Sequence, residues 1–423
     1  MRTRRAVAIA AGVAVVLLAY YAIAWAQVTP TRERGTDFSV SYVAALVLRD
    51  GGGSELYNEQ VEHAQHLSLL PAGTIINLPF ITPPTTALLA LPFTALDPGT
   101  AYRAWSLLEL MLLALAAWIA IRAGPWPAGR QPGRRTAVLL LAIAGGGTYA
   151  FLLLGQIDGI TALGLAAAYA AWRSDRASAA GFWLGLAFAA TKPHLAIGLG
   201  VWLLARRDWR ALAGAATGCA VVAAISLALV GPSGVGGFGS ALGFAYGNTP
   251  GASTVGIPGL VASWLGTGTL PSALGVIGSL AALAGCAILG ARSRGSAIAL
   301  EVSLAGAAAL SLAASPHLLP HDLVILAPVF AWCTARAAAS ESSQWPGLAT
   351  LRVAGAWAIL GLATFIDTGN SAPAPPGRLV PLALIGIGIA AVGITSARSP
   401  AGGPALVGLA QSGSGRGAGG STA

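Results

Sequence analysis

Residues 101–122 read AYRAWSLLELMLLALAAWIAIR, an apolar run from Ala101 to Ile121 interrupted by Arg103 and Glu109 and closed by Arg122. About twenty apolar residues cross the hydrocarbon core of a bilayer as a helix, so the stretch predicts a membrane span. Runs like it fill the chain. Of 423 residues, 55% are hydrophobic and only 9% charged, and the mean hydropathy is +0.72. A soluble domain carries about 25% charged residues, so soluble domains of this composition could not cover their surfaces. Disorder is excluded as well, since it needs low hydrophobicity and high charge. The expected class is an all-α polytopic membrane protein.

The net charge of +9 would suit nucleic acid only if a basic, aromatic-interleaved patch carried it. Instead the arginines sit singly or in short clusters between apolar runs, the pattern that orients a membrane protein. Membrane lipids are expected partners and nucleic acid is not. Lys192 is the only lysine. The three cysteines, Cys219, Cys286 and Cys333, lie in apolar stretches without close spacing. That pattern gives neither a disulfide framework nor a zinc site and reads as small buried hydrophobes.

Keeping arginines cytoplasmic threads the chain through about twelve spans. Arg2, Arg4 and Arg5 precede an apolar run from Ala6 to Ala26, longer than the core of a cleaved signal and read as a retained first helix. The span 101–121 leads to Arg122, Arg130, Arg134 and Arg135. Later runs end at Leu154, Trp172, Lys192 and Arg206–Arg210; the seventh is 211–230 and the eighth ends at Arg292 and Arg294. Runs near 297–314, 319–335, 349–366 and 379–396 complete the set. Arg32, Arg34, Arg49, Arg103 and Arg378 are left outside. Residues 82–96 are too short for a span and carry Pro83, Pro84 and Pro92, so they are expected to lie along or dip into the outer face. A single membrane domain is therefore expected over 1–398, with outer segments at 27–100 and 231–270. The Gly/Ser/Ala-rich tail 399–423 reads as disordered. Both termini are expected in the cytoplasm.

Ionisable residues other than arginine collect on the outer side of this threading. Asp37, in Gly35-Thr36-Asp37-Phe38, is a carboxylate near the membrane surface. It reads either as a general base raised by partial desolvation or as a helix cap. Lys192, in Thr191-Lys192-Pro193-His194, reads as a phosphate-gripping point charge or as an interfacial anchor. His317 and His321 would share a face on a continuous helix, unless Pro320 breaks it. They could hydrogen-bond a phosphate or sugar, or be satisfied interfacial histidines; H-E-x-x-H is absent. Gln156 and Asp158, in Gly155-Gln156-Ile157-Asp158, could line the same pocket. Glu109 and Glu301 fall inside spans and should face the protein interior. Gly51–Gly53 and Gly145–Gly147 match no phosphate-loop spacing.

In order along the chain stand Asp37-Phe38, Tyr42-Val43-Ala44-Ala45, Gly51–Gly53, Leu56-Tyr57, Thr82-Pro83-Pro84 and Leu91-Pro92. Leu154-Gly155-Gln156, Gly181 to Gly185, Lys192-Pro193-His194 and Ser315-Pro316-His317 to His321 follow. This series resembles glycosyltransferase family 87, polytopic enzymes that use polyprenyl-phosphate sugars, over about Asp37 to Pro328. The resemblance implies a GT-C bundle with juxtamembrane helices in the first outer loop. It also implies an aspartate base at Asp37, and Lys192, His317 and His321 near the lipid phosphate or sugar; His194, two residues after Lys192, is a further candidate for binding the substrate phosphate. Two departures bear on the donor sugar: Thr82 stands where members often have an aromatic, and Ile157-Asp158 follows Gly-Gln where many carry Asn.

Together these features predict transfer of a sugar, mannose first, from a polyprenyl-phosphate donor to a hydroxyl of an envelope glycolipid or polysaccharide. The reaction would occur at the outer face of the plasma membrane, invert configuration and need no cofactor, with a divalent metal left open. The rival readings are a secondary transporter, or a polyprenyl-linked polysaccharide ligase or polymerase.

Overall fold

A computed structural model of the chain describes residues 2–69, 79–128, 132–248, 254–294, 300–340, 347–368 and 378–397. The expected disordered tail lies outside the described residues. Every regular element among them is helical. Six helices are long and apolar enough to cross a membrane, or seven if the bent pair Gly133–Ile143 and Gly147–Leu154 is one span. Helices Ala177–Ala190, Leu300–Ala314 and Leu379–Thr395 are apolar but shorter. The protein is thus an all-helical membrane protein. The twelve spans read from the sequence exceed what length and composition support here, because several expected spans are interrupted.

The interruptions follow from particular residues. Helix Pro98–Ala123 starts where Asp97 Oδ1 accepts the Thr100 amide at 3.1 Å, with Pro98 in its first turn. Helices 133–143 and 147–154 bend by 59° across the Gly145–Gly147 run. A Cβ at Gly145 would meet Trp357 at 2.5 Å, and one at Gly147 the Pro320 carbonyl at 2.7 Å. That glycine run therefore serves close packing. Helix Trp209–Asn248 breaks at Gly231, where φ is +66° and Pro232 follows. The stretch 231–270, expected as an outer segment, is accordingly helical beyond the break and again over Ile257–Leu265.

Glycines also set the tightest helix pair. A Cβ on Gly181 would meet the Ala211 carbonyl oxygen at 1.7 Å and one on Gly185 the Ala215 oxygen at 2.3 Å. In return, a Cβ on Gly214 would meet the Ser178 oxygen at 2.0 Å and one on Gly218 the Phe182 oxygen at 2.6 Å. Helix 177–190 and the helix from Trp209 thus interlock through two small-x-x-x-small stripes, which lets backbones touch where lipid offers no hydrophobic drive.

The helix ends fall into two groups. At one end Arg173 donates to the Ala123 carbonyl at 3.2 Å and lies 3.5 Å from the buried Glu301, which also accepts from Tyr169 at 3.0 Å. Arg294 there donates to the Ala205 carbonyl at 2.6 Å. Glu301 is therefore paired with an arginine, and Arg173 and Arg294 stand at this end. Cys286 is buried and all three cysteines are free. The other end holds the described residues of 27–100, with short helices at Pro30–Glu33, Asp37–Arg49, Glu59–Ser68 and Pro84–Ala90. It also holds the three chain breaks that carry the candidate site.

Candidate functional site

The first break is Gly155-Gln156-Ile157, between helices Gly147–Leu154 and Asp158–Arg173. Gly155 sits at φ +62°, and a Cβ there would lie 2.7 Å from Cβ of Phe38. Only glycine meets both demands without strain. Helix 98–123 clamps this turn: Trp105 Nε1 donates to the Gly155 carbonyl at 2.9 Å, and Tyr102 Oη to the carbonyls of Leu152 and Leu153 at 3.0 and 3.1 Å. Phe38 packs at 5.6 Å from the Trp105 ring. The turn therefore brings Gln156 against Asp37, and the Gln156 amide donates to Asp37 Oδ2.

The second break is Thr191-Lys192-Pro193, where proline ends helix 177–190. The Ala190 carbonyl at that helix end accepts from Thr85 Oγ1 at 2.8 Å and Thr86 Oγ1 at 3.3 Å. These two bonds fasten the first outer segment to the lysine turn. The third break is Ser315 to Leu319, before the 3₁₀ segment Pro320–Leu326. Asp322 turns back there, its Oδ2 accepting the Leu319 amide at 2.7 Å. His317 and His321 consequently lie on no common helix, because the chain breaks before Pro320, the alternative that the sequence left open.

Lys192 joins all three breaks. Its ammonium donates to Asp322 Oδ1 at 2.6 Å, Asp158 Oδ2 at 3.0 Å and Gln156 Oε1 at 3.1 Å. An ammonium has three donors and no acceptor, so its hydrogen bonds are filled. Asp158 and Asp322 are fully buried, and the lysine side chain is 12% exposed. Burial pushes the Asp37 carboxyl above its usual range, while the Lys192 charge pulls it back and Asp322 adds to the rise.

The histidines surround this core. His321 Nε2 lies 3.6 Å from Asp322 Oδ1, and the His194 and His317 rings stand 6.3 Å apart, edge to face. Asp158 Oδ1, His194 Nε2 and His321 Nδ1 are buried without a hydrogen-bond partner. Asp158, His321 and Asp322 also offer ligand atoms within 4.8 Å of one another, a set able to hold a metal ion. Lys192 already sits against both of those carboxylates. All seven residues singled out from the sequence as site candidates therefore belong to one neighbourhood.

Other residues of the site escaped the sequence reading. Asp322, which makes the shortest contact to Lys192 at 2.6 Å, is one of them. Glu109 is fully buried, its Oε2 accepting the Ile160 amide at 3.3 Å in the first turn of helix 158–173. The turn before Asp37 is anchored by a chain of contacts. Arg103 pairs with buried Glu33 at 2.7 Å and donates to the carbonyls of Trp25 and Val28. Thr36 Oγ1 donates to the Glu33 carbonyl at 2.6 Å, and Ser39 Oγ to the Thr36 carbonyl at 2.6 Å. His66 Nε2 lies 3.0 Å from Ser39 Oγ and 2.9 Å from the Arg34 carbonyl. A buried Ser–His contact at this spacing was not visible in a single sequence.

Comparison with known proteins places these residues in context. The family model described as glycosyltransferase family 87 matches residues 80–316, more than half of the chain. No curated protein and no solved structure matches it.

Proposed function

The chain belongs to glycosyltransferase family 87, and from that premise we propose that it moves a sugar, mannose first, from a polyprenyl-phosphate donor to a hydroxyl of an envelope glycolipid or polysaccharide. As a membrane glycosyltransferase it needs a sugar donor, an acceptor and lipid around it, and the transporter reading has no further support. In the proposal the reaction takes place at the outer face of the plasma membrane, with both termini in the cytoplasm and about twelve passes of a GT-C bundle, some of them broken.

The observation that carries the proposal is the link from Asp37 through Gln156 to Lys192. A half-buried carboxylate stands within one side chain of a buried cation, beside three histidines. Asp37 Oδ1, the oxygen not used by Gln156, would take the proton of the attacking hydroxyl. The acceptor oxygen then forms a bond to the anomeric carbon as the bond to the lipid phosphate breaks, and the phosphate leaves with the electron pair. One base and one displacement invert configuration. Ring N–H groups of His194, His317 and His321 would meet the developing phosphate charge. No cofactor is needed in this reading, because the donor arrives carrying its leaving group.

The decisive test uses membranes expressing the protein, supplied with labelled polyprenyl-phosphate mannose and, in parallel, polyprenyl-phosphate arabinose. Transfer from the mannose donor that is lost in Asp37→Asn is expected. Transfer retained in that variant removes Asp37 as base, and transfer from arabinose alone replaces the donor assignment.

A further inference from the structure

The sequence suggests that Lys192, as the lone lysine, grips the donor phosphate. The geometry assigns it other work. We infer that Lys192 is a positioning residue: locked between Asp158 and Asp322, it fixes which end of the Gln156 amide faces Asp37. The inference rests on the reading of Asp37 as base and deepens it.

Three observations carry the inference. First, the ammonium is committed. Its three donors meet Asp322, Asp158 and Gln156 at 2.6, 3.0 and 3.1 Å, and two carboxylates against one cation leave no surplus positive charge for a phosphate. Second, the Gln156 amide has only two orientations about its last torsion, exchanging oxygen and nitrogen. With the lysine in place, the oxygen must face the ammonium, since the reverse would set two donors against each other. The NH2 group is then directed at Asp37 Oδ2, where it is found. Third, Gln156 is itself buried at 6% exposure, on a turn pinned by Trp105, Tyr102 and the close approach of Gly155 to Phe38. Its backbone cannot swing to compensate.

The consequence for catalysis is specific. An amide N–H on Oδ2 favours the ionised carboxylate and holds it in one rotamer, which leaves Oδ1 for the acceptor proton. If the amide turns over, its oxygen faces Asp37 and favours the protonated acid, which is no base. Lys192 thus acts on the proton-accepting group at one remove, through Gln156.

Two variants test this against phosphate gripping. Gln156→Leu leaves the Lys192–Asp158–Asp322 triad intact, so it should fold; Lys192→Arg keeps the charge but changes the donor geometry. Both are assayed in membranes with labelled polyprenyl-phosphate mannose, over a range of donor concentrations and pH, with melting in detergent as the check on folding. Positioning predicts that Gln156→Leu lowers kcat by about tenfold or more, the scale of one hydrogen bond to a charged group. It also predicts a donor KM within about twofold of the parent and an acid limb of the pH profile moved up by about one unit. Lys192→Arg, whose guanidinium also only donates, should keep the amide orientation: donor KM stays within about twofold, kcat falls less than in Gln156→Leu, and the double variant is no worse than Gln156→Leu alone. A donor KM raised about tenfold in Lys192→Arg, with Gln156→Leu unaffected in both kcat and acid limb, overturns the inference and returns the lysine to the phosphate. Failure of the base reading is seen separately, as transfer that survives Asp37→Asn.

Discussion

The Lys192 ammonium lies 2.6 Å from Asp322 Oδ1, which ties the break after helix 177–190 to the 3₁₀ segment 320–326, 130 residues away in sequence. With Asp158 at 3.0 Å, the contact forms a buried cation between two buried carboxylates. Removing the cation strands both. Lys192→Met is expected to destabilise the protein by about 3–5 kcal/mol, the cost of breaking a buried pair from one side. Adding Asp158→Asn and Asp322→Asn should recover part of that loss. Thermal melting of detergent-purified variants measures it, and a single variant that melts with the parent would show that the triad is not a structural lock.

The pH dependence of transfer follows from Asp37. Burial, the largest influence, holds its carboxyl above the ordinary range against the opposing pull of Lys192. A base must be ionised, so activity should fall as pH drops through a midpoint above about 4, the value of a free aspartate. A kcat/KM profile flat down to pH 4 would exclude Asp37 as the titrating base.

Glu62 supplies a pH effect on stability instead. Burial pushes its carboxyl from 4.5 up to about 8, opposed by the Phe80 amide, which it accepts at 2.9 Å. Between those two values the folded chain holds a proton that the unfolded chain has released. The associated stability is therefore present below about pH 4.5 and is lost as pH rises to about 8. Glu62→Gln should melt nearly independently of pH across this window, while the parent melts lower at pH 8 than at pH 5. Parallel slopes for the two proteins would refute the assignment.

Gly155 can be tested against a control of the same chemistry. Gly155→Ala forces a Cβ into a left-handed residue and to within 2.7 Å of Phe38, at a cost of at least about 1–2 kcal/mol. The displaced turn should also separate Gln156 from Asp37, so that kcat falls further than the melting temperature alone explains. Gly355→Ala, in helix Leu348–Thr368 with nothing within 4 Å of the new methyl, should leave both properties unchanged.

The parts of this structure that were legible in the sequence are those set by local chemistry. Arginine placement and apolar run length identified the span 101–121, found as helix Pro98–Ala123, because both signals act within a few residues. Pro193 and Pro320 stand at breaks that are local in the same way. What the sequence did not reveal are pairings across long separations. Glu109 faces the interior as its place in a span requires, but its contact to Ile160 and that of Asp322 to Lys192 cross 51 and 130 residues of sequence. The Ser39–His66 contact spans 27 residues between two short helices. The continuation of helix past Gly231 was masked by the very glycines and proline that bend it without ending it.

Arg103 carries a lesson for orientation by charge counting. Its guanidinium is cancelled by buried Glu33 and occupied by the Trp25 and Val28 carbonyls, with the Trp25 ring 4.6 Å beneath it. Once folded, an arginine held in this way presents little net charge to its surroundings, although a tally of letters counts it in full.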